Sequence, residues 1–272
     1  MKLEVLMSCM HQTDDHLVAA SRLTGDAVII NQCAQESYSE YPTEAGLTRM
    51  FSTTQRGLTK SRNMAIREAR ADICMICDDD EQFEPDYQDK ILQAYRDLPQ
   101  ADIIIFKIGN VPTRSFEDRV QQLRFPQTMK VCSVQISFRR QRLLDAGVAF
   151  DELLGAGTGN GAEEELKFLL DSQRAGLTIY YVPVQIASVI QDQSVWFNGF
   201  TEEFFENRGA TTRYILGAPL ACIYGLYYIL RKRKLYQQNL SAPRALRAIF
   251  RGILNDKISK QAKTATELEF FK

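Results

Sequence analysis

Cys77-Asp78-Asp79-Asp80-Glu81 follows directly on the apolar run Ile73-Cys74-Met75-Ile76. Carboxylates crowded at the exit of a buried strand repel one another and are costly to desolvate, and a hard divalent cation among them relieves both penalties. This crowding points to metal-assisted chemistry. A solvated acidic turn would account for the same residues taken alone. A second acidic cluster, Glu163-Glu164-Glu165, comes after a glycine-rich stretch, Phe150 to Gly161, and opens a helical pattern. Acids in a first helical turn also complement the helix dipole, so this cluster gains meaning only from its context.

That context is a regular alternation of elements. Leu3 to Met7 reads as a strand, Asp14 to Leu23 as a helix and Asp26 to Ile30 as a second strand. Next come a helix at Lys60 to Ala69, a strand at Ile73 to Cys77, a helix opened by Pro85-Asp86 and running to Tyr95, and a strand at Asp102 to Lys107. The alternation predicts an α/β fold with a mainly parallel central sheet and helices on both faces. Ligands in such folds sit beyond the carboxyl ends of the strands. Met10-His11-Gln12, Asn31-Gln32 and Asp78-Asp79-Asp80 are three such ends, expected to converge on one pocket. Further on, Val131 to Arg139 alternates as a strand, Gln141 to Ala146 reads as a short helix, and Ala162 to Ala175 as a helix before Gly176 and a strand at Thr178 to Val182. The glycine-rich stretch is expected as a mobile loop that lets an acceptor approach.

The order of a helix bearing Lys60, Arg62 and Asn63, a strand, the acidic triplet and a Pro-Asp-aromatic helix start resembles the donor-binding half of family-2 glycosyltransferases. The likeness continues to about Gln193. It implies the GT-A fold as a single domain over residues 1–206, with a nucleotide-sugar half at 1–110 and an acceptor half at 111–206, and a basic helical extension at 207–272. In that family the triplet is the DxD motif, here Asp78 and Asp80 with Asp79 between them, which implies Asp78 and Asp80 as ligands to Mn2+ or Mg2+. The resemblance places Lys60, Arg62, Asn63 and Asp79 beside the nucleotide of a UDP-sugar donor, with His11 and Asn31 as further contacts. Asn31-Gln32 stands where members commonly carry an Asp that reads the uracil. The family's Gly-Glu-Asp motif, whose second acid is the catalytic base, is replaced by Ala162-Glu163-Glu164, which makes Glu164 the expected base and Glu163 the alternative. Trp196, the sole tryptophan, and Gln193 are expected at the acceptor. The activity that the resemblance implies is an inverting hexosyl transfer to a saccharide or polyprenyl-linked saccharide, in assembly of a bacterial capsular or exopolysaccharide.

Composition bounds the alternatives. A hydrophobic share of 45% and a charged share of 25% over 272 residues suit a globular enzyme with a sizeable core. The net charge of -1 hides a segregated distribution: residues 207–255 carry nine Lys or Arg and no Asp or Glu, leaving the remainder at -10. Tyr214 to Leu230 is uncharged and runs into Arg231-Lys232-Arg233-Lys234. A spanning helix needs about 20 apolar residues, and Gly217, Pro219 and Gly225 interrupt this one, so an interfacial, re-entrant or core helix is expected. The apolar neighbour favours an anionic membrane over nucleic acid as the partner of the basic run. The first ten residues are too short for a secretory signal, which implies a cytoplasmic body, peripheral on the inner face of the plasma membrane. Cys74 and Cys77 have CxxC spacing, but on a strand they point to opposite faces, and with only two histidines a zinc or redox site is not expected. Gly157-x-Gly159-x-x-Ala162 loosely fits a dinucleotide fingerprint, which three glutamates at the pyrophosphate position exclude. Two rivals to glycosyl transfer are a sugar-phosphate nucleotidyltransferase, whose glycine-rich loop after the first strand is missing from Ser8-Cys9-Met10-His11-Gln12, and a non-catalytic membrane-associated scaffold.

Overall fold

The structure, a computed structural model, describes residues 1–110, 116–161, 163–190 and 199–262. The chain forms two compact units, one of residues 1–151 and 165–192, the other of residues 152–164 and 193–272. The compositional boundary at 206/207 falls inside a helix of the second unit, Glu202–Leu216.

The first unit runs β1 (Leu3–Met10), α1 (His16–Ala20), β2 (Asp26–Gln32), β3 (Ser37–Pro42), β4 (Leu47–Thr53), α2 (Leu58–Glu68), β5 (Ile73–Asp78), β6 (Glu81–Phe83), α3 (Tyr87–Asp97), β7 (Ile103–Gly109), β8 (Gln121–Gln122), β9 (Ile136–Arg139) and α4 (Arg140–Asp145). It ends with α5 (Glu164–Arg174), of which Glu164 itself groups with the second unit, and β10 (Ile179–Val189). The sheet order is β3-β4-β2-β1-β5-β9-β7-β10-β6, with β8 beside β10. Strands β4, β2, β1 and β5 pair in parallel, as do β7 and β10, while β9 lies antiparallel between β5 and β7. This is the mainly parallel α/β sheet that the alternation predicts.

Its central strands are buried on both faces, as crossover helices require. Along β5, Ile73, Met75 and Cys77 enter one core and Cys74 and Ile76 the other, so the two cysteines do point to opposite sides. All six cysteines are free, and Cys9, Cys74 and Cys77 are buried. Three details differ from the sequence reading. The hairpin β3–β4 sits at the sheet edge, where β3 is exposed along most of its length and carries no apolar run. The stretch Val131 to Arg139 is a strand only from Ile136, because two short 3-10 turns precede it. The helix after the acidic triplet begins at Tyr87 with Asp86 at its cap, so Pro85 lies ahead of the helix instead of opening it.

The second unit contains α6 (Glu202–Leu216), α7 (Ala218–Arg231), α8 (Arg233–Tyr236) and α9 (Ala242–Asn255). Thr201 caps α6, its hydroxyl accepting the Phe204 N–H at 3.1 Å. Phe205, Tyr228, Ile229, Tyr236, Ala245, Ala248 and Ile249 form the core. Helices α6 and α9 cross where two glycines let the backbones meet: a Cβ on Gly252 would overlap the Glu206 carbonyl oxygen, and one on Gly209 that of Ile249. Gly217, at φ +77, separates α6 from α7, so Tyr214 to Leu230 is not one helix. Among the described residues, no helix is long and apolar enough to cross a membrane.

Candidate active site

Parallel pairing with β1 sets Asp78 opposite Ser8 at the carboxyl end of β5. Asp79 and Asp80 turn the chain into β6. The turn is fixed from below by Glu81, which is wholly buried and whose Oε1 accepts the Asp78 backbone N–H at 2.8 Å. Its Oε2 has no hydrogen-bond partner among the described residues. Burial, then the Asp78 charge, pushes the Glu81 pKa well above the usual carboxylate range. Partial burial, and after it the Asp78 charge, also raises Asp79; Asp80 is raised by burial, Asp78 and Asp79 in that order. The turn thus holds more negative charge than its surroundings accommodate.

One positive charge answers it directly. Arg62 on α2 is 1% exposed, and its Nη2 donates to Asp78 Oδ1 and to Ser133 Oγ, each at 2.9 Å. Its guanidinium carbon lies 5.4 Å from the centre of the Phe150 ring. Hard carboxylate oxygens in surplus over nearby cations fit a divalent metal, and Asp78 and Asp80 are the residues that would hold Mn2+ or Mg2+. No group of three His, Cys, Asp or Glu side chains among the described residues is arranged as a metal cage. Mg2+ in phosphate-handling sites typically takes one or two protein carboxylates, with substrate oxygens and water completing the shell.

Of the other expected donor-side residues, Asn63 and Asn31 hold backbone in place. Asn63 clamps the backbone of Phe150 from both sides, donating from Nδ2 to its carbonyl and accepting its N–H at Oδ1, each at 2.9 Å. Asn31 is buried and ties down the loop after β1: its Oδ1 accepts the Gln12 N–H, and its Nδ2 donates to the Gln12 carbonyl and to Ser52 Oγ. His11 is exposed at the end of β1, in the left-handed region at φ 57, and Lys60 is exposed on α2. Asn31 and His11 thus lie at the neighbouring ends of β2 and β1. Gln193 and Trp196 lie outside the described residues.

The second acidic cluster belongs to the second unit. The glycine-rich stretch before it is a folded turn: Gly155 pairs with Asn160, whose Nδ2 donates to the Leu153 carbonyl at 3.0 Å and to Gln261 Oε1 at 3.2 Å. Gly155, Gly157 and Gly159 all take positive φ, which only glycine adopts without strain. Glu163 is itself left-handed at φ 67, and its Oε1 accepts from Arg208 Nη1 at 2.6 Å. The same nitrogen donates to Tyr224 Oη at 2.8 Å, and the guanidinium lies over the rings of Tyr228 and Phe204. Both partners are largely buried, at 14% and 18% exposure. Burial by itself would lower the Arg208 pKa; the Glu163 charge and the two tyrosines outweigh it and hold the guanidinium above its usual range. Glu164 is buried as the first residue of α5. The two glutamates therefore differ: Glu163 is held in an ion pair, and Glu164 stands at a helix start.

Glu81 and Ser133 in the first unit, and Arg208 in the second, are the residues beside the two acidic clusters that the sequence reading missed. Arg208 sits among nine basic residues, and nothing in the local pattern separates the buried one from its solvated neighbours.

Residues 27–151 match the family model for Glycosyl transferase family 2, a span that holds α2, the acidic triplet and Phe150. Among solved structures, TarS 1–349 of S. aureus superposes with a TM-score of 0.61 at 14% identity, over 93% of this chain and 81% of that one. The same protein in complex with UDP-GlcNAc gives 0.59 at 15% identity over 88% and 74%, and in complex with UDP 0.57 at 15% identity over the same shares. At that identity the likeness is one of fold. No curated protein sequence matches the chain. Residues 27–151, which hold strands β3 to β9 and the acidic turn, thus form a Glycosyl transferase family 2 region, set in the GT-A fold that the TarS structures share.

Proposed function

We propose that the chain transfers a hexose from a UDP-sugar to a hydroxyl of a saccharide or polyprenyl-linked saccharide, with inversion at the anomeric carbon, in assembly of a bacterial surface polysaccharide. The observation that carries this is the acidic turn at the end of β5: Asp79 and Asp80 with raised pKa values, and Asp78 held by a buried arginine. The TarS complexes with UDP-GlcNAc and UDP support a uridine nucleotide as donor. The family match favours glycosyl transfer over the nucleotidyltransferase and scaffold readings.

When bound by Asp78 and Asp80, Mn2+ or Mg2+ would neutralise charge that develops on the departing pyrophosphate. Arg62 fixes one Asp78 oxygen, Oδ1, and Glu81 fixes the backbone from which Asp78 projects. Asn63 holds Phe150, whose ring in turn packs against Arg62. Glu164 takes the proton of the acceptor hydroxyl as that oxygen attacks the anomeric carbon. Attack from the face opposite the leaving group breaks the bond to the nucleotide in one displacement, so no covalent sugar–enzyme intermediate forms and the configuration inverts.

Isothermal calorimetry of UDP binding with and without Mn2+ tests the assignment. Asp80→Ala should abolish the Mn2+-dependent part of the affinity, because the pyrophosphate is held largely through the metal. Unchanged affinity in the presence of Mn2+ would remove Asp80 from the metal site.

A further inference from the structure

Helix α7 is apolar on every face except its end. One side, Ala221, Gly225, Tyr228 and Ile229, is buried in the second unit. The opposite side exposes Leu220, Ile223, Leu226, Tyr227 and Leu230, with Ile223 at 64% and Leu230 at 75%. Positions 220, 223, 227 and 230 repeat at the three- and four-residue spacing that lines one face of a helix. A helix apolar all round belongs in a core or a membrane, and this one is in neither over half its girth. At its C-terminus the stripe meets Arg231, Lys232, Arg233 and Lys234, none of which forms an ion pair among the described residues. Arg244 and Arg247 add further exposed positive charge from α9. Fourteen residues make a helix about 21 Å long, short of the roughly 30 Å hydrocarbon thickness.

We propose that α7 docks in the plane of an anionic lipid leaflet, its Leu220–Leu230 stripe among the acyl chains and its basic end at the headgroups. Charge complementarity selects this occupant: an apolar face bordered by four consecutive cations fits a surface that is apolar inside and anionic at its rim. A second copy of the chain would bring the same four cations to the contact. The inward side of the same helix presents Tyr224 and Tyr228 to Arg208, the partner of Glu163. The docked helix thus supplies the two tyrosines that hold Arg208, the partner of Glu163.

Flotation of the full chain with phosphatidylglycerol-containing and with purely phosphatidylcholine vesicles tests this without reference to catalysis, so its outcome and that of the UDP calorimetry are separable. The parent should float with the anionic vesicles at 0.1 M salt, not with the neutral ones, and should detach toward 1 M as the Debye length falls from about 10 to about 3 Å. Replacing Arg231, Lys232, Arg233 and Lys234 with Gln should weaken partitioning by about fivefold per charge removed. Ile223→Ser with Leu230→Ser should weaken it at least tenfold; both are exposed changes, and unaltered circular dichroism and UDP affinity confirm the fold. Failure of the parent to float at low salt overturns the proposal, as does equal flotation of all variants. A parent dimer in light scattering that the two Ser substitutions dissociate would assign the stripe to a second copy instead.

Discussion

Asp80 is half-buried beside two other carboxylates, and its folded-state pKa is raised above its ordinary value near 3.8. A raised carboxyl pKa lends stability that is fully present below the unfolded value and is lost as pH climbs through the folded one. In metal-free protein Asp80→Asn should therefore raise the Tm at pH 7 by roughly 1–3 °C and change nothing at pH 3, where the parent is protonated too. Added Mn2+ should raise the parent's Tm and not the variant's; scanning calorimetry in EDTA and in Mn2+ decides, and a lower Tm for Asp80→Asn in EDTA would show that repulsion is not what the turn stores. The two glutamates should separate by their surroundings. Glu164→Gln keeps shape but cannot accept a proton, so transfer should fall by roughly 10²-fold or more while UDP affinity stays. Glu163→Gln takes the charge from a buried arginine, a change that costs about 3–5 kcal/mol for well-buried pairs and less here, where both groups keep some solvent contact. Loss of transfer in Glu163→Gln at an unchanged Tm would move the base to Glu163. The acidic triplet was legible because charge directly after a buried strand violates the burial rule; the Glu163–Arg208 pair was not, since its partners are 45 residues apart and only the fold makes them neighbours.

Elements were legible where their apolar pattern was strong. β1, β2, β5 and β7 are near-continuous apolar runs because helices cover both faces of the sheet, and α3 carries a clear one-sided periodicity, burying Tyr87, Ile91, Ala94 and Tyr95. The edge pair escaped notice: β3 reads Ser-Tyr-Ser-Glu-Tyr-Pro, which buries little and needs only β4 beside it. The helical crossing of the second unit was equally hidden, since Gly209 and Gly252 read as helix-weakening residues until α6 and α9 are seen to touch through them. Gly252→Ala should gain about 1 kcal/mol of helix propensity in α9. It should lose more, because the methyl meets backbone oxygen and not a yielding side chain; overpacking of this kind costs about 1–3 kcal/mol or more. A net drop in Tm is expected, and a rise would mean that the helices slide apart freely at that point.

At the scale of the whole chain, the segregation of charge marked residues 207–255 as a region of its own, but it did not reveal that residues 152–164 belong with it. Composition cannot show this, because the bonds concerned, Glu163 to Arg208 and Asn160 to Gln261, join ordinary polar residues across long sequence separations. The C-terminal helices are therefore not a detachable tail. The residues that match the family model, 27–151, lie wholly in the first unit, whereas the loop before the acid pair takes its partners from α6 and from beyond α9. A chain ending at Thr201 should separate donor binding from sugar transfer. Mn2+-dependent UDP binding should persist within about tenfold, because Asp78, Asp80 and Arg62 keep their neighbours. Limited proteolysis should cut within residues 152–164, where the loop has lost Arg208 and Gln261, and sugar transfer should disappear even to a soluble acceptor. Retained transfer in the shortened chain, with the loop still protected, would place the catalytic carboxylate outside the Glu163–Glu164 pair and leave the second unit with docking alone.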